Sequence, residues 1–156
     1  MTESGTVDLI HLEDADGDHC IVRVTGRSQP GVLTGHDILR ADVLLHTDFL
    51  DARLDVYLFP RDLDSWQRQL AGLGPGKGAS IGGDRGLTLA LRVQDDGSLA
   101  VMIEDPDRLS TMLWIQPREN WQEEHRDRLE RVRHTWPSEV VETAPMTYEW
   151  RRDRRP

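Results

Sequence analysis

Apolar and polar residues alternate with a period of two along most of this chain, and a helical period replaces it only twice. Val7–Leu12 and Cys20–Gly26 flank the turn residues Ala15, Asp16 and Gly17 and read as a hairpin. A three-residue loop with Gly17 in the left-handed region pairs Leu12 with Cys20 and Ile10 with Val22. A two-residue loop would pair Leu12 with Ile21 and His11 with Val22. The first register keeps Ile10, Leu12, Cys20, Val22 and Val24 on one face and is the one predicted.

Arg40–His46 and Ala52–Leu58 alternate in the same way, with Ala41, Val43 and Leu45 on one face of the first and Ala52, Leu54, Val56 and Leu58 inward on the second, and read as antiparallel neighbours. The period then changes. Pro60 suits a helix start, Asp62 and Asp64 suit its first turn, and Leu63, Trp66, Leu70 and Leu73 form one stripe. Gly72 or Gly74 ends that helix. A short strand at Ala79–Ile81 leads to a second hairpin, Leu87–Val93 and Leu99–Ile103, whose Asp95-Asp96-Gly97 loop pairs Leu89 with Ile103 and Leu91 with Val101. Leu109–Ile115 is a further strand. Glu119–Trp136 is the second helix, with Trp121, His125, Leu129, Val132 and Trp136 on one face. The expected fold is a single α+β domain over residues 1–150: a mostly antiparallel sheet of seven or eight strands, curled or split, with two packed helices. Residues 151–156 read as a basic C-terminal tail.

Charge sharpens this picture. The net charge is -9. Residues 1–50 carry nine acidic residues against three Arg, which disfavours nucleic acid and suits a basic protein partner. The single cysteine, Cys20, forms no internal disulfide, so a reducing cytoplasmic setting is expected. No run approaches a membrane span.

Several chemical motifs fail on inspection. Asp14, Asp16 and Asp18 suggest a calcium loop, but His19 and Thr25 occupy the positions that require Gly and Glu. Gly74–Ser80 suggests a phosphate loop, but Gly78 follows Lys77 and a strand follows the glycines. The six histidines show no metal spacing, and no cofactor is expected. Two places remain. The long irregular segment Arg27–Leu39 gathers Ser28, Thr34, His36 and Asp37, which could supply nucleophile, base and orienter, or serve as loop caps. Trp114 shares a strand face with Ser110 and Met112 and is the expected exposed aromatic. The candidate binding residues are therefore Arg27, Thr34, His36, Asp37 and Trp114.

The run Gln29–Asp37, with Arg40-Ala41-Asp42, Gly82–Gly86 and Val140–Pro145, resembles an uncharacterised family of small actinobacterial proteins. That resemblance implies a bacterial cytosolic protein and carries no activity with it. The strand, helix, glycine-rich crossing and hairpin of residues 49–104 are similar in layout to bacterial immunity proteins of the WapI type, which neutralise toxins by binding them. The expected function is thus a non-enzymatic, immunity-like protein-binding domain. The alternative is a small-molecule or catalytic pocket at Thr34, His36 and Asp37.

Overall fold

The computed structural model describes residues 5–83 and 86–151. In sequence order these form β1 (Val7–Glu13), β2 (His19–Arg27), β3 (Leu39–Thr47), β4 (Leu50–Leu58), α1 (Pro60–Ala71), β5 (Gly78–Gly82), β6 (Thr88–Val93), β7 (Leu99–Asp105), β8 (Leu109–Ile115), α2 (Trp121–Thr135), β9 (Val140–Ala144) and β10 (Thr147–Trp150). The fold is α+β, as the patterning implied. The sheet is split rather than curled: β1-β2-β3-β4 and β5-β6-β7-β8 are separate antiparallel meanders, and β9 and β10 add a two-stranded hairpin. That last hairpin raises the strands among the described residues to ten, above the seven or eight expected.

Turn chemistry set both predicted registers. Gly17 has φ +93° and Gly97 has φ +88°, in the region where a β-carbon costs about 1 kcal/mol or more. With those turns, Leu12 pairs with Cys20, Ile10 with Val22, Leu89 with Ile103 and Leu91 with Val101. Alternation alone did not foresee Leu9. A bulge between Asp8 and Ile10 leaves Leu9 without a cross-strand partner, and Leu9 and Ile10 are both fully buried.

The inward faces of both sheets join the stripes of both helices in one apolar cluster centred on residues such as Trp66, Leu58, Leu89, Ile103 and Leu129. The helices pack crosswise. α1, which follows the first sheet, lies on β5 at the edge of the second; α2, which follows the second sheet, lies on β1 at the edge of the first. Each helix also caps part of the backbone edge it covers. The Gln69 side chain of α1 accepts the Ser80 N–H (3.1 Å) and donates to the Ser80 carbonyl (3.3 Å). His125 of α2 accepts the His11 N–H (3.0 Å) and donates from Nδ1 to the Trp121 carbonyl (2.7 Å). The edge groups of Ser80 and His11 are thereby satisfied by side chains in place of a further strand.

Candidate functional site

Between β2 and β3 the backbone makes a series of tight turns, with Val32 donating to Gln29, and Gly35 and His36 both donating to Val32. They are closed at the base by the bond from Ser28 N–H to the Ile38 carbonyl (2.7 Å). This folding brings three of the candidate residues, Arg27, His36 and Asp37, against the segment that follows α2. The Asp37 carboxylate accepts from Arg27 Nη1 (3.0 Å), from the backbone N–H of Glu139 (3.0 Å) and Val140 (2.9 Å), and from the Ser138 hydroxyl (3.2 Å). Arg27 also donates to the His36 carbonyl (2.9 Å) and to the Pro137 carbonyl (2.8 Å). Its side chain is 12% exposed and that of Asp37 10%, so the pair is nearly desolvated and well bonded, the condition under which a buried pair holds.

His36 is buried beside this pair. Its Nδ1 accepts the Gly31 N–H (2.8 Å), so its Nε2 carries the hydrogen that faces the Glu139 carboxylate (2.7 Å). The Trp150 ring meets it edge-on, 4.9 Å between centroids. Both nitrogens are therefore engaged within the protein. Asp37 faces Arg27 and the backbone, and no hydroxyl among the described residues hydrogen-bonds His36. The geometry is that of a clamp on the segment just past α2, held across about a hundred residues of sequence.

Thr34 takes no part in the clamp's hydrogen bonds but shares a cavity with Asp37. It is exposed and lines an open cavity of about 360 Å³ together with Leu33, Asp37, Phe59, Val140 and Tyr148. Trp114 lies on the other sheet altogether. It is 58% exposed on the outward face of β8, beside Met102 and Met112, which are 40% and 41% exposed.

The patterning did not point to a further feature at one end of the first sheet. The β1–β2 and β3–β4 turns lie side by side, because Glu13, His19, His46 and Asp51 form one cross-strand row. Glu13, Asp14, Asp16, Asp18, Asp48 and Asp51 cluster there, and neither turn contains Lys or Arg. Phe49, at the tip of the second turn, is 73% exposed. The His19 and His46 rings lie 5.4 Å apart. A hydrogen bond and the charge of Asp51, helped by Asp18 and Asp48, raise the His46 pKa above its ordinary value. An aromatic residue in a two-residue turn flanked by aspartates was the available signal for this site.

One family match takes in nearly all of this architecture. The chain belongs to DUF5959, a family of unknown function. The family profile matches residues 7–137, which span both four-stranded sheets and both helices. No curated protein and no solved structure matches the sequence.

Within this DUF5959 protein, Arg27, His36 and Asp37 lie inside the matched region, while their partners Ser138, Glu139, Val140 and Trp150 lie beyond it. Asp84 and Arg85, part of the glycine-rich run Gly82–Gly86, and residues 152–156 of the basic tail are outside the described residues. Among the described residues, no group of three or more His, Cys, Asp or Glu is placed to hold a metal ion. No described helix is long and apolar enough to cross a membrane. Cys20 is fully buried, and burial pushes its thiol pKa up to about 12, so it is packed as an inert apolar side chain.

Proposed function

We propose that this DUF5959 protein is a non-enzymatic protein-binding domain whose partner presents a basic surface. The observation that carries this reading is Phe49: a large aromatic side chain held at the tip of a tight turn, 73% exposed, among six carboxylates. An aromatic anchor within a mainly acidic field supplies both the buried hot spot and the electrostatic steering of a protein interface. The hydrogen bonding of His36 and Asp37 supports the same reading, since the groups best suited to acid–base work are engaged in holding the fold together.

Neutralisation of a basic protein toxin is the specific form suggested by the immunity-like layout of residues 49–104. The buried thiol of Cys20 suits a reducing, cytoplasmic setting, and the resemblance of the 29–42 run suggests an actinobacterial source.

The test is site-directed photocrosslinking with the reactive group at position 49, carried out in the host cell and followed by purification of the captured partner. The expected outcome is one basic protein joined at that position. Its binding to the purified protein should fall about 30-fold with Phe49→Ala, taking a hot-spot loss of about 2 kcal/mol. Binding should also weaken steeply as salt rises and when Asp16, Asp18 and Asp48 are changed to Asn. A partner indifferent to both changes, or none at all, would remove the basis for this function.

A second reading follows from the cavity beside Thr34. Its walls combine apolar Leu33, Ile38, Phe59 and Tyr148 with polar Thr34, Asp37, Arg61 and Glu142, the mixture of a small-ligand site. A thermal-shift screen of small amphipathic ligands against the parent protein and its Thr34→Trp variant distinguishes it: stabilisation lost in the variant supports the reading, and no stabilisation by any ligand rejects it.

A further inference from the structure

The outward face of the second sheet is laid out in three cross-strand rows. Across its strands, Ser80, Ala90, Met102 and Met112 stand in one row, each opposite the next. Arg92, Ala100 and Trp114 form the row on one side, and Thr88, Glu104 and Ser110 the row on the other. The two alanines leave a hollow beside the larger Met102, Met112 and Trp114 side chains, and that hollow opens onto a cavity of about 620 Å³.

In a protein with 30% charged residues and a net charge of -9, these three rows hold just two charges, Arg92 and Glu104. They are of opposite sign and sit on opposite sides of the methionine row. Both are exposed, and among the described residues neither has an ion-pair partner. The face is thus neutral overall while the turns of the first sheet are acidic. A strongly basic protein finds no complementary field here, and an identical copy meets no net repulsion.

We infer that this face is the contact surface of a homodimer, in which the second sheets of two copies pack face to face about a two-fold axis running across the strands over the Ala90–Met102–Met112 row. That operation reverses strand direction, so the row carrying Arg92 lies over the row carrying Glu104 of the second copy, and the reciprocal contact forms at the same time. Met102 and Met112 meet their own counterparts on the axis, where flexible thioethers fill an irregular gap well. Trp114 closes over the Ser110 edge of the second copy and loses its exposure. The sheets then pair as in a sandwich, with interdigitating side chains. The acidic turns around Phe49 belong to the other sheet and are not part of this contact.

Sedimentation velocity and light scattering of the full-length protein over a concentration series test the proposal. The expected species is a concentration-dependent dimer. Trp114→Glu should raise its dissociation constant about 30-fold or more, in line with loss of a central aromatic hot spot. Arg92→Glu should raise it about tenfold, by setting two carboxylates against each other twice per dimer. The double charge swap, Arg92→Glu with Glu104→Arg, should return it towards the parent value. Circular dichroism and thermal melting establish that each variant is folded; if Trp114→Glu fails that check, Trp114→Ser replaces it. A protein that stays monomeric throughout the series, a dimer insensitive to Trp114, or a charge swap as weak as the single reversal would each overturn the proposed pairing. Binding to the basic partner at Phe49 is read out separately and does not depend on this result.

Discussion

Nε2 of His125, on α2, accepts the backbone N–H of His11 on the outer edge of β1. A ring nitrogen that accepts is unprotonated, and Nδ1 already donates to the Trp121 carbonyl, so this contact exists only with a neutral imidazole. Burial, the leading cause, lowers the pKa of His125 from 6.5 to about 4, partly offset by the bond to the Trp121 carbonyl.

Acid sensitivity follows. The unfolded state takes up this proton near pH 6.5 and the folded state only near pH 4, so between those values the unfolded state holds more protons. The contribution of His125 to stability is complete above pH 6.5 and is lost as the pH falls towards 4, with a loss of about 3 kcal/mol. Denaturant melts across that range should show it. His125→Leu should be less stable at neutral pH, by about 1–3 kcal/mol for the orphaned His11 N–H, and flatter in its pH dependence.

The Asp37 clamp makes a separate prediction. Asp37→Ala removes the acceptor for two backbone N–H groups and one hydroxyl and leaves Arg27 facing a cavity. The expected cost is about 3 kcal/mol. Hydrogen exchange should localise it: the amides of Glu139 and Val140 and those of β9 and β10 should lose protection first, while β2 and β3 keep theirs.

Two glycines with similar backbone angles should respond differently to alanine. Gly97 has φ +88° and open space where an alanine methyl would sit, so Gly97→Ala should cost about 1 kcal/mol. Gly82 has φ +81°, but a methyl there would run into the Leu87 carbonyl oxygen beside it. Gly82→Ala should therefore cost about 3 kcal/mol, since the backbone must move in addition to the strain. Paired chemical melts of the two variants compare them directly.

A stabilising change is available at Met146. It sits with Pro145 in the two-residue turn between β9 and β10, has φ +64°, and is 82% exposed. Proline followed by a residue of positive φ is a turn that favours glycine in the second place. Met146→Gly should add about 1 kcal/mol to the stability of the hairpin, measurable as slower exchange of its amides.

That turn also explains what sequence reading could and could not reach. Gly17 and Gly97 announce their turns, and the registers of both hairpins followed from them. Nothing comparable marks Pro145-Met146, where a methionine holds a conformation that glycine would advertise, so the alternation pattern predicts no hairpin after the second helix. The clamp was hidden for another reason. Asp37 and Arg27 stood out as polar residues in a long loop, but most of the groups they hold past α2 are backbone N–H and carbonyl groups of residues 137–140, which carry no side-chain signature. Trp114 was legible because its face could be counted along a single strand. The acidic turns around Phe49 were not, because they come together only when the first four strands are aligned as one meander.

The crosswise placement of the helices has a consequence for how the protein is made. During synthesis the first four strands emerge well before α2, whose His125 closes the β1 edge. For that interval the β1 edge of a nascent first sheet is open to other polypeptides. The N-terminal half thus cannot reach its finished state ahead of the C-terminal half, and a ribosome stalled after α1 would display a sheet ready to pair with the wrong neighbour.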